Sequence, residues 1–297
     1  MVENQFAQKK GVLYVVATPI GNLEDITQRA LGLLKTVDMV AAEDTRRTKK
    51  LLSHFKMKKR VFSLHNYNEG ERAHLVVEHI LSGRSIALVS DSGTPLISDP
   101  GYRAVNCCLQ AGIDVVPLPG ACAAVAALSA SGLPSDRFIF NGFFPPKRQS
   151  RIDRLSEIAM EKHTCIFYES PHRIMQTLLD MLGILGPERE VVIARELTKT
   201  FETIKRMHLG GLVTWMREES NRRRGEIVVL IHGYRQPSNK ALSPESIQAM
   251  SALIKVMPLK KAATLVAELC HLEKNSLYRW GIKHLENQKM NVGQALR

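Results

Sequence analysis

Short apolar runs alternate with helical periodicities over the first 130 or so positions of the chain. Leu13–Ala17 is continuously apolar, with β-branched Val15 and Val16, and Asp38–Ala42, Val61–Leu64, Ile86–Val89 and Val115–Val116 repeat the pattern. Between them, Ile26–Val37, Glu69–Leu81 and Tyr102–Ala111 carry apolar residues at helical spacing, and Ala121–Ser131 reads as a small-residue helix. Strands that are apolar throughout, rather than alternating, are buried on both faces. The pattern therefore predicts a mainly parallel sheet covered by helices. In such open α/β sheets ligands bind outside the carboxyl ends of the strands.

A second unit begins near Gly132. Phe138–Phe144 is aromatic and strand-like and precedes Pro145-Pro146. Arg151–Met160, Ile174–Leu185 and Gly211–Glu219 have helical spacing. Thr164–Tyr168, Val191–Ala194, Thr200–Met207 and Ile227–Ile231 are strand-like. Adjacent strands without a helix between them predict a mixed sheet. Gly233–Ser243 reads as a linker. Beyond it there is no strand pattern. Ser243 reads as an N-cap with Pro244 at the first helical position, Pro258 opens a second helix, and a third begins near Ser276. Two short helices joined by a few residues suggest a helix-turn-helix, either packing on the body or docking nucleic acid. The expected division is an extension over 1–11, α/β domains over 12–131 and 132–236, and a basic helical domain over 237–297.

Composition narrows the class. Of 297 residues, 44% are hydrophobic and 24% charged, which excludes wholesale disorder and fibrous folds. The five Cys are odd in number and lack C-x-x-C spacing, so reduced cytosolic thiols are expected rather than disulfides or a structural zinc. Cys107 and Cys108 fall in a helical pattern as packing residues. No run approaches the roughly 18 apolar residues of a membrane span, and Val12–Ala17 is too short for a signal sequence. No spacing of ligands calls for a metal. The formal charge of +12 points to a polyanionic partner. It is clustered: Arg46–Arg60 holds eight Lys/Arg and no acid, Arg222–Arg224 are consecutive, and Lys240–Arg297 has nine Lys/Arg against four Glu. The first run is read as a phosphate-contacting surface.

Chemistry is expected where strands end. Thr18-Pro19-Ile20-Gly21-Asn22-Leu23 is a tight turn in which Asn22 either caps a helix or binds a ligand. It is not G-x-G-x-x-G, and no phosphate-binding P-loop occurs. Ala42-Glu43-Asp44-Thr45-Arg46 places carboxylates at a strand end, where they can cap a helix. Ser90–Gly101, rich in Ser, Gly, Pro and Asp, reads as a binding loop in which backbone groups face a ligand, although Asp99 could simply cap the next helix. Pro117–Ala124 allows close approach to a helix start. Tyr168–Arg173, Ala194–Lys199 and Arg222–Glu226 are expected to converge on the same cleft.

Taken together, TPIGNLEDITQRAL, AAEDTRRT, LVSDSGTPLISDPGY, PLPGACAA, FYESPHR and ARELTKTFE resemble the ribosomal RNA small subunit methyltransferase I family, within the tetrapyrrole-methylase-like S-adenosylmethionine enzymes. The resemblance runs from about Leu13 through the C-terminal helices. It implies a cytoplasmic homodimer of two α/β domains that methylates a cytidine 2′-hydroxyl of 16S rRNA near the decoding centre of the small subunit, with no metal and no membrane. It implies that S-adenosylmethionine lies in the cleft between the domains, against Pro19, Asp91, Gly93, Thr94, Pro95, Ile97, Ala121, Cys122, Leu197, Glu226 and Ile227. Pro19 to Asn22 resembles the floor of the site. Ala121 stands where Pro is expected, and Pro171 where Thr is. RNA contacts are expected from Asn22, Arg46, Arg47, Lys49, Lys50, Arg222, Arg223, Lys260, Lys261 and Arg279. Because a ribose hydroxyl is a weak nucleophile, a base or nearby cation is sought, with Lys199, Glu43 and His65 the candidates. A tetrapyrrole methylase and a non-catalytic rRNA-binding factor are the competing readings.

Overall fold

The computed structural model describes residues 11–235, 242–270 and 272–295, the last ten of these by backbone alone. The expected extension, apart from Gly11, and most of the expected linker lie outside the described residues. The chain forms two compact units that divide after Tyr234.

In the first unit, strands β1 (Val12–Val16), β2 (Met39–Ala42), β3 (Arg60–Ser63), β4 (Ile86–Val89) and β5 (Asp114–Leu118) form a sheet in the order β3-β2-β4-β1-β5. Every pairing in it is parallel. Its helices are α1 (Gln28–Thr36), α2 (Thr45–His54), α3 (Glu69–Leu81), α4 (Tyr102–Gln110) and α5 (Ala123–Ser131). The continuous apolar strands have the predicted cause. In β4, Ile86 and Leu88 pack beneath α3 and α4, while Ala87 and Val89 pack on the opposite side with α1 and α2.

The second sheet holds β6 (Phe138–Phe143), β7 (Thr164–Glu169), β8 (Glu190–Arg195), β9 (Thr203–His208) and β10 (Ile227–Ile231), in the order β6-β7-β10-β8-β9. Only β6–β7 is parallel, so the sheet is mixed as its helix-free connections predict. One face packs on α6 (Arg148–Glu157), α7 (Ile174–Leu185) and α8 (Leu209–Glu218). The other face, with Ile166, Val192 and Val228, is covered by Ala124, Ala127 and Leu128 of α5. Helix α5 follows a strand of the first sheet yet buries its side chains on the second. That packing sets the two rows of strand ends facing one another.

Within the basic run Thr45–His54 is helical, and Asp44 is its N-cap, the side chain accepting from the Arg46 amide. Two local readings change. Helix α6 begins at Arg148 rather than Arg151. Asp99 does not cap α4. Gly101 takes the N-cap position at φ 129°, and the amides of Gly101, Arg103 and Ala104 donate to Glu69 of α3 at 3.1, 2.6 and 3.3 Å.

The second unit contains α9 (Pro244–Leu253), α10 (Leu259–Cys270) and α11 (Lys274–Ala295) around Met250, Ala262, Ala263, Val266 and Leu277. Ser243 caps α9 by accepting from Ser246, with Pro244 following. Helices α10 and α11 form the expected helix-turn-helix.

Candidate functional site

The loops after β1 and β4 are tied to each other. Thr18 and Gly93 exchange two backbone hydrogen bonds, of 2.8 and 3.0 Å. The Thr94 hydroxyl donates to the Ala121 carbonyl at 2.9 Å, fixing the β4 loop to the start of α5. On the other side, the Tyr168 hydroxyl at the end of β7 accepts from the Ala124 amide at 3.2 Å. Gly21 lets the β1 loop press against the loop after β8: a Cβ there would fall 2.6 Å from the Lys199 side chain and 2.8 Å from the Leu197 carbonyl.

These restraints enclose a cavity of about 280 Å³ between the two sheets. Gly93, Thr94, Ile97, Cys122, Leu197, Glu226 and Ile227 line it, all expected from the resemblance. Pro19, Asp91, Pro95 and Ala121 do not line it. Asp91 accepts from the Asp44 amide at 2.9 Å and pairs with Arg47 at 3.5 Å, which links the β4 loop to α2. Ile20, Ser98 and Ala194 also line it and fall in the segments Pro19–Asn22, Ser90–Gly101 and Ala194–Lys199 expected at the ligand, whereas Phe143 and Val228 carried no such signal and Asp99 was read only as part of the loop or as a cap. Among the described residues, five non-glycines have φ in the left-handed region. Four of them, Leu96, Ser98, Glu196 and Thr198 at 73°, 69°, 52° and 66°, flank this cavity. Backbone strain of that kind, on the order of 1–3 kcal/mol per residue, persists only where surrounding contacts impose it, and it gathers at ligand sites.

The three candidates for the base do not line the cavity. Lys199 bridges Glu196 at 2.9 Å and Glu226 at 2.6 Å. Burial alone would lower its pKa, but the two carboxylates outweigh burial and raise it, so the amine stays protonated. Glu43 accepts from the Asp91 amide at 3.4 Å, and burial, with help from the Asp91 charge, pushes its carboxyl upward. His65 follows β3, with its buried Nδ1 unpartnered and its ring edge-on to Tyr67, 6.1 Å between centroids.

Three acids do line the cavity: Asp99, Glu169 and Glu226. Glu169 is spent on Arg173 at 2.9 Å and the Thr177 hydroxyl at 2.6 Å, and Glu226 on Lys199. Asp99 has no cationic partner among the described residues. Burial pushes its carboxyl up to about 6, the Ser90 hydroxyl opposes this, and the charges of Glu43 and Asp91 add to it.

The residues expected to contact RNA differ in availability. Lys49 and Lys50 project from α2 into solvent. Arg46 is exposed but paired with Asp44 at 2.9 Å, and this pairing holds the Asp44 carboxyl down at about 2. Farther along the run, Lys59 donates to the carbonyls of Lys35 and Val37, the last turn and C-cap of α1. Asn22 caps a short 3₁₀ turn by accepting from Glu24. Arg222 lies 4.5 Å above the Trp215 ring and is held by Glu218 and Glu219, while Arg223 is half-buried. Lys260, Lys261 and Arg279 are exposed on the helix-turn-helix unit.

The family profile of the Tetrapyrrole (Corrin/Porphyrin) Methylases matches residues 12–213, and that of the RsmI C-terminal HTH domain matches 240–285. The chain is 60% identical over 274 residues to the ribosomal RNA small subunit methyltransferase I of Vibrio cholerae, covering 92% of this chain and 95% of that one. Its identity to the Escherichia coli O157:H7 protein of the same name is 50% over 284 residues, covering 95% and 99%.

The chain belongs to the ribosomal RNA small subunit methyltransferase I family.

Solved structures extend the likeness of fold beyond that family. The methyltransferase CobJ superposes with a TM-score of 0.57 at 20% identity, over 76% of this chain and 96% of its own. Diphthine synthase superposes with 0.56 at 17% identity, over 74% and 89%. Both likenesses fall short of the chain's full length, which also carries the family's C-terminal helix-turn-helix.

Proposed function

We propose that this chain transfers the methyl group of S-adenosylmethionine to the 2′-hydroxyl of a cytidine in 16S rRNA, near the decoding centre of the small ribosomal subunit. One observation carries the reading: a restrained cavity at the strand ends, in a chain 60% identical to a relative named for small-subunit rRNA methylation. The cavity suits the donor chemically. Backbone and apolar groups, among them Gly93, Ile97, Leu197 and Ile227, offer flat walls for an adenosyl group, and the Asp99 carboxylate, without a cationic partner among the described residues, favours a cation. When bound, S-adenosylmethionine supplies an electrophilic methyl on a sulfonium. The chain's own task is to hold the two reactants in line, which can be worth on the order of 7–11 kcal/mol. The exposed cations of α2 and of the helix-turn-helix contact phosphates, since folded RNA is read through its shape, phosphates and 2′-hydroxyls. The reading includes a cytoplasmic homodimer.

Mass mapping of 16S rRNA from cells lacking this protein tests the reading. Loss of a single ribose methyl, restored by the gene, is the expected result; an unchanged methylation map sinks it. Titration with S-adenosylmethionine separates catalysis from a purely structural role in assembly, because a non-catalytic rRNA-binding factor has no affinity for the donor.

A further inference from the structure

The loop between β8 and β9 carries an exposed aromatic ring beside the cavity. Glu196–Glu202 folds as two successive turns: the Lys199 amide donates to the Glu196 carbonyl and the Glu202 amide to the Lys199 carbonyl, each at 3.0 Å. The loop is clamped at several points. Lys199 bridges Glu196 and Glu226, and the Glu202 carboxylate accepts from the Thr198 amide at 2.6 Å. Gly21 of the β1 loop packs against Leu197, Thr198 and Lys199. These contacts impose the left-handed φ of Glu196 and Thr198. At the outer end of this rigid loop stands Phe201, 74% exposed.

A lone apolar residue in solvent is ordinary. The place and the fixing of Phe201 are not. The strand order β6-β7-β10-β8-β9 sets the cavity-facing ends of the second sheet in a row: Phe143 at the end of β6, Tyr168–Pro171 at β7, Glu226 before β10 and Leu197 after β8. Phe201, just before β9, continues that row one strand beyond the cavity. Cations lie next to it. Arg195 donates from Nε to the Arg224 carbonyl and from Nη1 to the Thr203 hydroxyl, both at 3.3 Å, and the Thr203 hydroxyl donates in turn to the Phe201 carbonyl. Arg224 is exposed, and among the described residues neither guanidinium enters an ion pair.

We propose that Phe201 stacks on the base of the nucleotide whose ribose is methylated, and that Arg224 meets a phosphate beside it. The proposal rests on the methyl-transfer reading above. A ribose hydroxyl that reaches a methyl group inside a cavity leaves the regular stack of an RNA helix, so its base loses its neighbours. Unstacked bases of RNA are held on aromatic faces, and a flat apolar ring flanked by unpaired cations offers a base and its phosphate what each needs. The ring must be in place before the base arrives, because ordering a loose loop on binding would consume part of the gain. Both turns and the Lys199 bridges supply that order. Lys199, kept protonated by its two carboxylates, is thus a positioning residue that acts through Phe201. Every base has a flat face, so the stack grips the target without reading its identity.

The test uses full-length protein and small subunits prepared from cells lacking it. Phe201→Ala should lower kcat/KM for the subunit about 5- to 150-fold, the range for loss of one base stack, with an unchanged Kd for S-adenosylmethionine and an unchanged unfolding midpoint. Its salt slope of subunit affinity should match wild type, because a stack releases no counterion, whereas Arg224→Ala should lower that slope by about 0.7. Phe201→Tyr should recover most of the loss and Phe201→Leu, apolar but not flat, should not. Phe201→Trp gives a direct signal over the native Trp215 and Trp280: its added emission should be quenched when the subunit binds. Wild-type kcat/KM in Phe201→Ala overturns the proposal. Equal activities of Phe201→Leu and Phe201→Tyr do the same, since they would make the ring a mere apolar cover. Emission of Phe201→Trp that the subunit leaves unaltered, or a weakened donor Kd in Phe201→Ala, also counts against it. Wild-type protein that transfers no methyl to ribose overturns the underlying reading instead, a result distinct from these.

Discussion

Asp180 and Asp99 are both acids withdrawn from water, one surrounded by cations and one without any. Asp180 accepts from Arg151 at 2.7 and 2.9 Å and from Arg148 at 3.0 Å, and the Arg151 side chain is wholly buried. Removing one partner of a buried pair strands the other charge, at a cost of about 3–5 kcal/mol. Asp180→Ala should therefore lower unfolding stability by that amount in a denaturant titration; a loss below about 1 kcal/mol, the scale of a surface pair, would contradict the burial argument. Asp99 should behave the other way. Its folded pKa of about 6 lies above the ordinary 3.8, so the protein holds the neutral form more easily than the charged one. The associated stability is present below pH 4 or so and is lost as pH rises through 6. Asp99→Asn cannot ionise. It should be more stable than wild type at pH 8, by about 1–2 kcal/mol after allowance for partial exposure, and equal to it near pH 3.5. Equal midpoints at both pH values would refute this. A site residue that costs stability in its working form is a common sign of function.

Helix α2 shows where an element escapes a reading of the sequence. Helices are recognised by an apolar stripe, and in Thr45–His54 only Thr48 and Leu52 are buried. Leu51 and Phe55 flank them at helical spacing and are half-buried, so a short apolar stripe was present but was overshadowed by the cations around it, whereas the cap was legible in the carboxylates at the strand end. The strands were legible because burial on both faces leaves an uninterrupted apolar run, and the loops because Gly, Pro, Ser and Asp gather after those runs. The far wall of the cavity was legible at its loops and not along its strands. Tyr168–Arg173, Ala194–Lys199 and Glu226 were expected at the cleft, whereas Phe143 and Val228 look like ordinary strand residues that only the packing of the two sheets turns toward a ligand. Asp99 was hidden by the same ambiguity: an Asp shortly before a helix reads as a cap, and the cap proved to be supplied by Glu69 from another helix. Helix α2 also carries a prediction. Lys49 and Lys50 are exposed and take part in no ion pair among those the structure defines. If both meet phosphate, Lys49→Ala with Lys50→Ala should reduce the slope of log affinity for the small subunit against log salt by about 1.5. Donor affinity should not change. An unaltered slope would remove α2 from the RNA surface.

At the scale of the whole chain, positive charge is shared between the part that builds the cavity and the part that does not. The cavity is built entirely from residues before Tyr234, and the apolar clusters around it draw on no residue beyond Ile231. The helix-turn-helix unit has its own small core, from Met250 to Leu277, and its own excess of cations, nine Lys/Arg against four Glu over Lys240–Arg297. Cores that are closed within each unit predict that either can be lost without unfolding the other. A chain ending at Tyr234 should keep its unfolding midpoint and bind S-adenosylmethionine with unchanged Kd. Its affinity for the small subunit should fall about tenfold or more at moderate salt, and its salt slope by two to three, as expected if Lys260, Lys261 and Arg279 each release a counterion. Combining the truncation with the α2 substitutions sharpens the result. Contacts made by distant, independent residues add in free energy, so the two losses in slope should sum. A truncated chain with undiminished affinity would assign RNA binding to the α/β unit alone, whereas a combined loss well short of the sum would mean that one surface docks only when the other has engaged.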